Sequence, residues 1–156
     1  MRKLSLKKGF LWSVMGCCLW GSLAQAQSTS QEQIVTQDAR EIIWVTESEK
    51  ATLLSEMRGF LEATQKILEG SLADDMEVIE EAARAVGIKM MKATPKTLHD
   101  KLPTGFTDKG PKAHMGFESI ADEAAGMGDR EVVLEHLAAL QKTCNGCHAI
   151  YRLKVK

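Results

Sequence analysis

Residues 129–151 read DREVVLEHLAALQKTCNGCHAIY, and this stretch predicts the last helix of an all-helical domain. Apolar and sulfur-bearing side chains recur along it at steps of four, three, four, three and four, which is the period of one helical face. Asp129 is a suitable N-cap, and we expect the helix to run to about Leu153. The face consists of Val133, Leu137, Leu140, Cys144, Cys147 and Tyr151. Both cysteines are therefore expected to point toward the core.

The pentapeptide Cys144-Asn145-Gly146-Cys147-His148 matches the CxxCH motif of covalent haem attachment. In that chemistry each thiol adds to one vinyl group of the haem, and the histidine after the second cysteine ligates the iron. The sequence thus predicts one covalent haem c, held by Cys144 and Cys147, with His148 as the proximal axial ligand.

Three other uses of the two cysteines explain fewer of these residues. A structural zinc site needs four ligands, and no second cysteine pair accompanies this one in the mature chain. A thioredoxin-like redox pair normally starts a helix that follows a strand, and no strand is predicted here. A structural disulfide across one helical turn leaves His148 without a role.

The first 26 residues have the organisation of a cleaved secretory signal peptide. Four basic residues begin the chain, an apolar run follows from Gly9 to Ala24, and Ala24-Gln25-Ala26 supplies a small-x-small cleavage site. The run is shorter than the ~20 residues that a membrane-spanning helix needs. A retained anchor and a lipoprotein cut before Cys17 remain the alternatives. We expect a periplasmic protein with a flexible leader at 27–37 and one domain at 38–156, without a membrane span in its mature form.

The predicted cleavage leaves an acidic mature chain. It removes four basic residues and no acidic ones, so the formal net charge falls from −1 to −5. Such a charge gives no electrostatic reason to bind nucleic acid or an anionic membrane surface. The expected partners are redox proteins, which would dock through a basic patch.

Helical periodicity predicts three further helices and no strand. They span about Asp38–Glu69, ended by Gly70, then Leu72–Lys92 and Lys112–Ala125, with Gly87 as a weak point inside the second. Four helices with short links, except between the second and the third, predict an antiparallel four-helix bundle. The first helix has a wide predicted apolar face. Its best stripe is Leu54, Met57, Leu61, Thr64 and Leu68, flanked by Leu53, Phe60 and Ile67.

The chain resembles class II cytochrome c, the family of cytochrome c′ and its low-spin relatives. The resemblance covers 38–156 and rests on an all-helical exported domain whose last helix carries the haem motif, followed by Tyr151-Arg152. It implies that the haem lies between the first and last helices, with its second axial face toward the first. It also implies basic residues beside the haem, at Lys50 and Arg152, and a homodimer.

The sixth position of the iron distinguishes two functions. With a Met57 thioether as distal ligand, the protein is an electron carrier whose haem iron cycles between Fe(II) and Fe(III). With Leu54 in the distal pocket, it is a five-coordinate, cytochrome c′-like protein that binds nitric oxide or carbon monoxide. Both functions are non-enzymatic, and we predict the electron carrier.

The other histidines are not expected to ligate the iron. His136 precedes His148 by twelve residues on one helix, or roughly 18 Å along its axis. His114 is predicted to be a surface or capping residue at the start of the third helix. His99 lies in the long connection.

Overall fold

The computed structural model describes residues 38–126 and 128–156. The predicted signal peptide (1–26) and the predicted leader (27–37) lie outside these residues. The elements of the described residues are, in chain order, β1 (Glu41–Val45), α1 (Glu47–Ala73), α2 (Met76–Val86), α3 (Ile88–Ala93), α4 (Lys96–His99), α5 (Thr104–Thr107), α6 (Gly110–Ala125), α7 (Arg130–His148) and β2 (Tyr151–Val155). Most of this part of the chain is helical, which agrees with the predicted all-α class. None of its helices is both long enough and apolar enough to cross a membrane.

Helix α1 begins later and ends later than the sequence predicts. Thr46 and Glu49 form a reciprocal capping box at its start, so the residues before Thr46 are not helical. Asp74 ends the helix in the left-handed conformation, with φ of 57°. Gly70 therefore does not end α1; it lies within the helix, against Ile79 of α2.

The two strands were not predicted. β1 and β2 form a parallel pair in which Glu41 lies opposite Tyr151 and Val45 opposite Val155. Ile43 and Val45 are buried, so β1 turns alternate side chains into a small apolar cluster. The pair joins the segment before α1 to the segment after α7, and α7 therefore ends at His148 rather than near Leu153.

The predicted second helix is divided at Gly87. Gly87 ends α2 and precedes α3, and the carboxylate of Glu118 accepts a hydrogen bond from the Ile88 N–H at 3.0 Å. A Cβ atom at position 87 would collide with that carboxylate. A side chain at position 87 would therefore displace the Glu118 carboxylate from the Ile88 N–H, and the expectation of an unbroken helix was wrong.

The core lies among α1, α2, α6 and α7, where α1 and α6 each pack on α2 and on α7. In α7 the predicted face residues Val133, Leu137 and Leu140 are buried. In α6 the apolar residues expected from the periodicity are buried, and so are His114 and Ala121, which were not predicted. In α1 the predicted stripe was wrong: Leu54, Leu61 and Leu68 are 39%, 72% and 41% exposed. Phe60, Ala63 and Ile67 of α1 pack in the core, whereas Leu53 packs in the small cluster with Ile43 and Val45.

Candidate haem-binding site

One cavity brings the predicted site residues together. Its volume is about 380 Å³, within the range of small-molecule and cofactor sites. Its walls come from α1, from the segment that leads into α6, and from the junction of α7 with β2. The predicted residues that line it are Cys144, Cys147, His148, Met57 and Leu54. A second cavity, of about 420 Å³ beside β1, has no cysteine or histidine in its lining.

The two cysteines lie in the last turns of α7, and both are half-buried. Burial raises the pKa of the Cys144 thiol. Burial also raises the pKa of Cys147, although the nearby positive charge of Lys109 partly opposes that rise. Reactive redox cysteines have a lowered thiol pKa, so these thiols do not have the environment of a thioredoxin-like pair.

His148 is the last residue of α7, and contacts from the N-terminal segment hold its backbone. Arg40 donates hydrogen bonds to the carbonyl oxygens of His148, at 3.2 Å, and Tyr151, at 3.5 Å. Asp38 pairs with Arg40 at 2.7 Å, and this hydrogen bond holds the pKa of the Asp38 carboxyl well below its usual range. Arg152 in turn donates to the carbonyl oxygen of Arg40 at 3.3 Å. The end of α7 that carries the haem motif is therefore tied to the chain before β1.

Met57 and Leu54 both lie on the α1 wall of the cavity but differ in exposure. Met57 is half-buried and packs against the core cluster. Leu54 is 39% exposed, so it lies at the rim. Of the two residues that the sequence proposed for the distal side, Met57 is the less exposed.

His114 is not the surface or capping residue that the sequence predicted. It is only 5% exposed and lines the cavity from α6. Its Nδ1 lies 2.8 Å from the carbonyl oxygen of Val86, and its ring is edge-on to Phe60 with centroids 4.9 Å apart. Its position on the flank of the α6 apolar stripe gave no signal of this, because α1 and α2 together enclose that flank. His99 and His136 do not line the cavity.

Basic side chains line the cavity as well. Lys50 and Arg152, which the resemblance placed beside the haem, are both in the lining, and so are Arg40 and Lys109, which sequence reasoning missed. Haem carries two negatively charged propionates, and charge-assisted hydrogen bonds from lysine and arginine suit such groups. Phe60 and Phe106 add aromatic surface that suits the macrocycle.

The residues present therefore fit a covalent haem. Two thiols and an imidazole lie beside one cavity, which combines apolar walls with basic residues. A structural zinc site is less well supported, since no three His, Cys, Asp or Glu side chains cluster as metal ligands within 38–126 and 128–156. No protein-family model, curated protein or solved structure matches this chain.

Proposed function

We propose that this chain is a periplasmic, mono-haem c-type cytochrome that transfers electrons between partner proteins. The observation that carries the proposal is the shared cavity. Cys144, Cys147 and His148 line it together with residues of α1 and α6. A motif that matched CxxCH by chance would have no reason to border a cofactor-sized apolar space.

The residues have distinct roles in this proposal. Cys144 and Cys147 hold the haem covalently, and His148 supplies the proximal imidazole. The bound haem provides the one-electron Fe(II)/Fe(III) couple. The apolar walls keep water from the macrocycle, and Met57 is the distal donor that we infer from the sequence.

The proposed architecture is an antiparallel four-helix bundle with the haem near the C-terminal end of its last helix. Its helices would be α1, α2, α6 and α7, because these are the longest described and each contacts two of the others. Bundles of this kind build cofactor sites from side chains on facing helices. The small parallel sheet is an addition that anchors both ends of the domain.

Binding of nitric oxide or carbon monoxide is the second candidate function. Leu54 also borders the cavity, and an apolar side chain over the iron would leave the sixth position open. We favour the electron carrier, because Met57, which carries the donor atom, lines the same cavity and is less exposed than Leu54.

The proposed partners are redox proteins with a basic docking patch, since the chain without residues 1–26 carries a formal net charge of −5 after loss of four basic residues. A homodimer is also part of the proposal. An exposed leucine stripe on α1 supports it, because solvent-facing apolar rows often mark contacts between proteins. The stripe consists of Leu54, Leu61, Leu68 and Leu72.

Expression in a host that has the haem-attachment machinery tests covalent haem binding. The full chain, made in a host that exports and matures c-type cytochromes, should yield a protein whose haem resists acid–acetone extraction. Mass spectrometry should find one haem added to the peptide that contains Cys144 and Cys147. A double variant, C144A/C147A, should lose the covalent haem but retain its helical circular dichroism. A colourless wild-type protein from the competent host would refute the proposal.

A further inference from the structure

His114 has one ring nitrogen occupied and one available. A carbonyl oxygen can only accept a hydrogen bond, so the Nδ1 atom that lies 2.8 Å from the Val86 oxygen must carry the hydrogen. In the neutral ring, Nε2 then keeps its lone pair. The fixed tautomer makes His114 an acceptor at Nε2.

The available nitrogen has no protein partner within the described residues. Nε2 makes no hydrogen bond there, and it keeps some accessible surface, because the buried side-chain nitrogen without a partner among the described residues is Nδ1 of His136. The ring is 5% exposed and borders the cavity. A Lewis acid in the cavity would satisfy that lone pair.

The same arrangement is typical of metal-ligating histidines. They usually donate the second ring N–H to a carboxylate or a backbone carbonyl, which fixes the tautomer and the ring orientation. Here the Val86 carbonyl does this, and the edge-on contact with Phe60 further restrains the ring. His114 is therefore preorganised before any metal binds.

Met57 is not held in place for metal binding in the way that His114 is. A methionine side chain has three rotatable bonds and commonly fills irregular gaps in a core, and Met57 already packs against the core cluster here. Its place in the cavity wall is explained by packing alone. Packing does not account for His114 in the same way, because its Nε2 lone pair has no hydrogen-bond partner among the described residues.

We propose that Nε2 of His114, rather than the sulfur of Met57, is the sixth ligand of the haem iron. The inference rests on the proposed covalent cytochrome and replaces Met57 with His114 as its distal ligand. His148 and His114, which line the same cavity, would then both ligate the iron. Methionine in place of histidine raises the reduction potential of a c-type haem, so the potential should lie below that of a His/Met cytochrome.

Four variants of the haem-loaded protein distinguish the two donors. His114→Leu should convert the low-spin spectrum to a high-spin one, and its ferrous form should bind carbon monoxide. Met57→Leu should keep the low-spin spectrum and resist carbon monoxide. His136→Leu is the matched control, because it removes a half-buried histidine of α7 that does not line the cavity. Added imidazole should restore a low-spin spectrum to His114→Ala.

The wild-type protein provides a test that needs no substitution, should His114→Leu fail to fold. Its ferric form should lack the weak red charge-transfer band that methionine sulfur gives, and it should show a bis-imidazole magnetic circular dichroism signature. A methionine band, or an open iron in the wild type, would overturn the inference. Either result would come from a haem-loaded protein, so the covalent cytochrome proposal would survive, whereas a protein without haem would defeat both.

Discussion

Substitution of Gly70 tests the contact between α1 and α2. A Cβ atom at this position would lie 2.7 Å from Cγ1 of Ile79 and 3.0 Å from the backbone oxygen of Asp75. Neither neighbour can withdraw easily, because Ile79 is fully buried and the other atom belongs to the backbone. Such overpacking costs about 1–3 kcal/mol, whereas alanine in place of a helical glycine gains roughly 1 kcal/mol. Gly70→Ala should therefore lower the free energy of unfolding by about 0–2 kcal/mol.

Gly59→Ala is the matched control in the same helix. Its added Cβ would meet the mobile end of Met90 at 3.3 Å, which can move away. This variant should gain roughly 0.5–1 kcal/mol from helix propensity. The difference between the two variants removes the propensity term and leaves the overpacking cost of about 1–3 kcal/mol.

Urea unfolding of the haem-loaded protein, followed by circular dichroism, measures this difference. The midpoints of the two variants should move in opposite directions, or Gly70→Ala should at least fall clearly below Gly59→Ala, at an unchanged m-value. If Gly70→Ala is as stable as Gly59→Ala, the close approach of α1 and α2 at Ile79 is wrong.

Three further predictions concern acid stability, the core and the cysteine environment. A hydrogen bond from Lys101 holds the pKa of Glu49 at about 2, below its ordinary 4.5. The ionised Glu49 carboxylate therefore stabilises the protein above pH 4.5, and this stabilisation is lost as the pH falls toward 2. Between these pH values the melting temperature of the wild type should drop more steeply than that of Glu49→Gln. Parallel curves of melting temperature against pH would contradict this. Phe117→Ala removes a fully buried ring and should cost about 3–5 kcal/mol in urea unfolding, and a loss below ~1 kcal/mol would place the ring outside the core. Lys109→Ala should raise the pKa of the Cys147 thiol in the haem-free protein, because the lysine charge lowers that pKa. Alkylation of Cys147 by iodoacetamide at a given pH should then be slower in the variant. An unchanged rate would contradict the effect of Lys109 on Cys147.

The order and type of the long helices could be predicted because their apolar faces are local. Phe117 and Ile120 in α6, and Val133 and Leu137 in α7, are buried as their periodicity indicates. Helix α1 was harder, because it carries two adjacent apolar stripes. Which stripe is buried depends on neighbouring helices, a tertiary choice that the sequence of one helix does not contain.

The strands and the break at Gly87 depend on residues far along the chain. The pairing of Glu41–Val45 with Tyr151–Val155 joins segments at opposite ends of the domain, and five residues are too few for a clear period. The break is closed by Glu118, thirty residues after Ile88. Neither interaction leaves a local signal in the sequence.

The candidate site divides in the same way. The cysteines and His148 could be identified because covalent haem attachment requires a fixed local spacing. His114 could not, because its role depends on the Val86 carbonyl and the Phe60 ring, which belong to other helices. The proposed haem motif is thus local, whereas the rest of the cavity is assembled only by folding.

The most direct test of the electron-carrier proposal is the visible absorption spectrum of the mature, haem-loaded protein, recorded ferric and ferrous, before and after carbon monoxide. A closed sixth position predicts a ferrous form with sharp, split low-spin bands that carbon monoxide leaves unchanged. Broad high-spin bands that sharpen when carbon monoxide is added would contradict the electron-carrier account. That result would indicate an open iron and the gas-binding alternative, with Leu54 on the distal side.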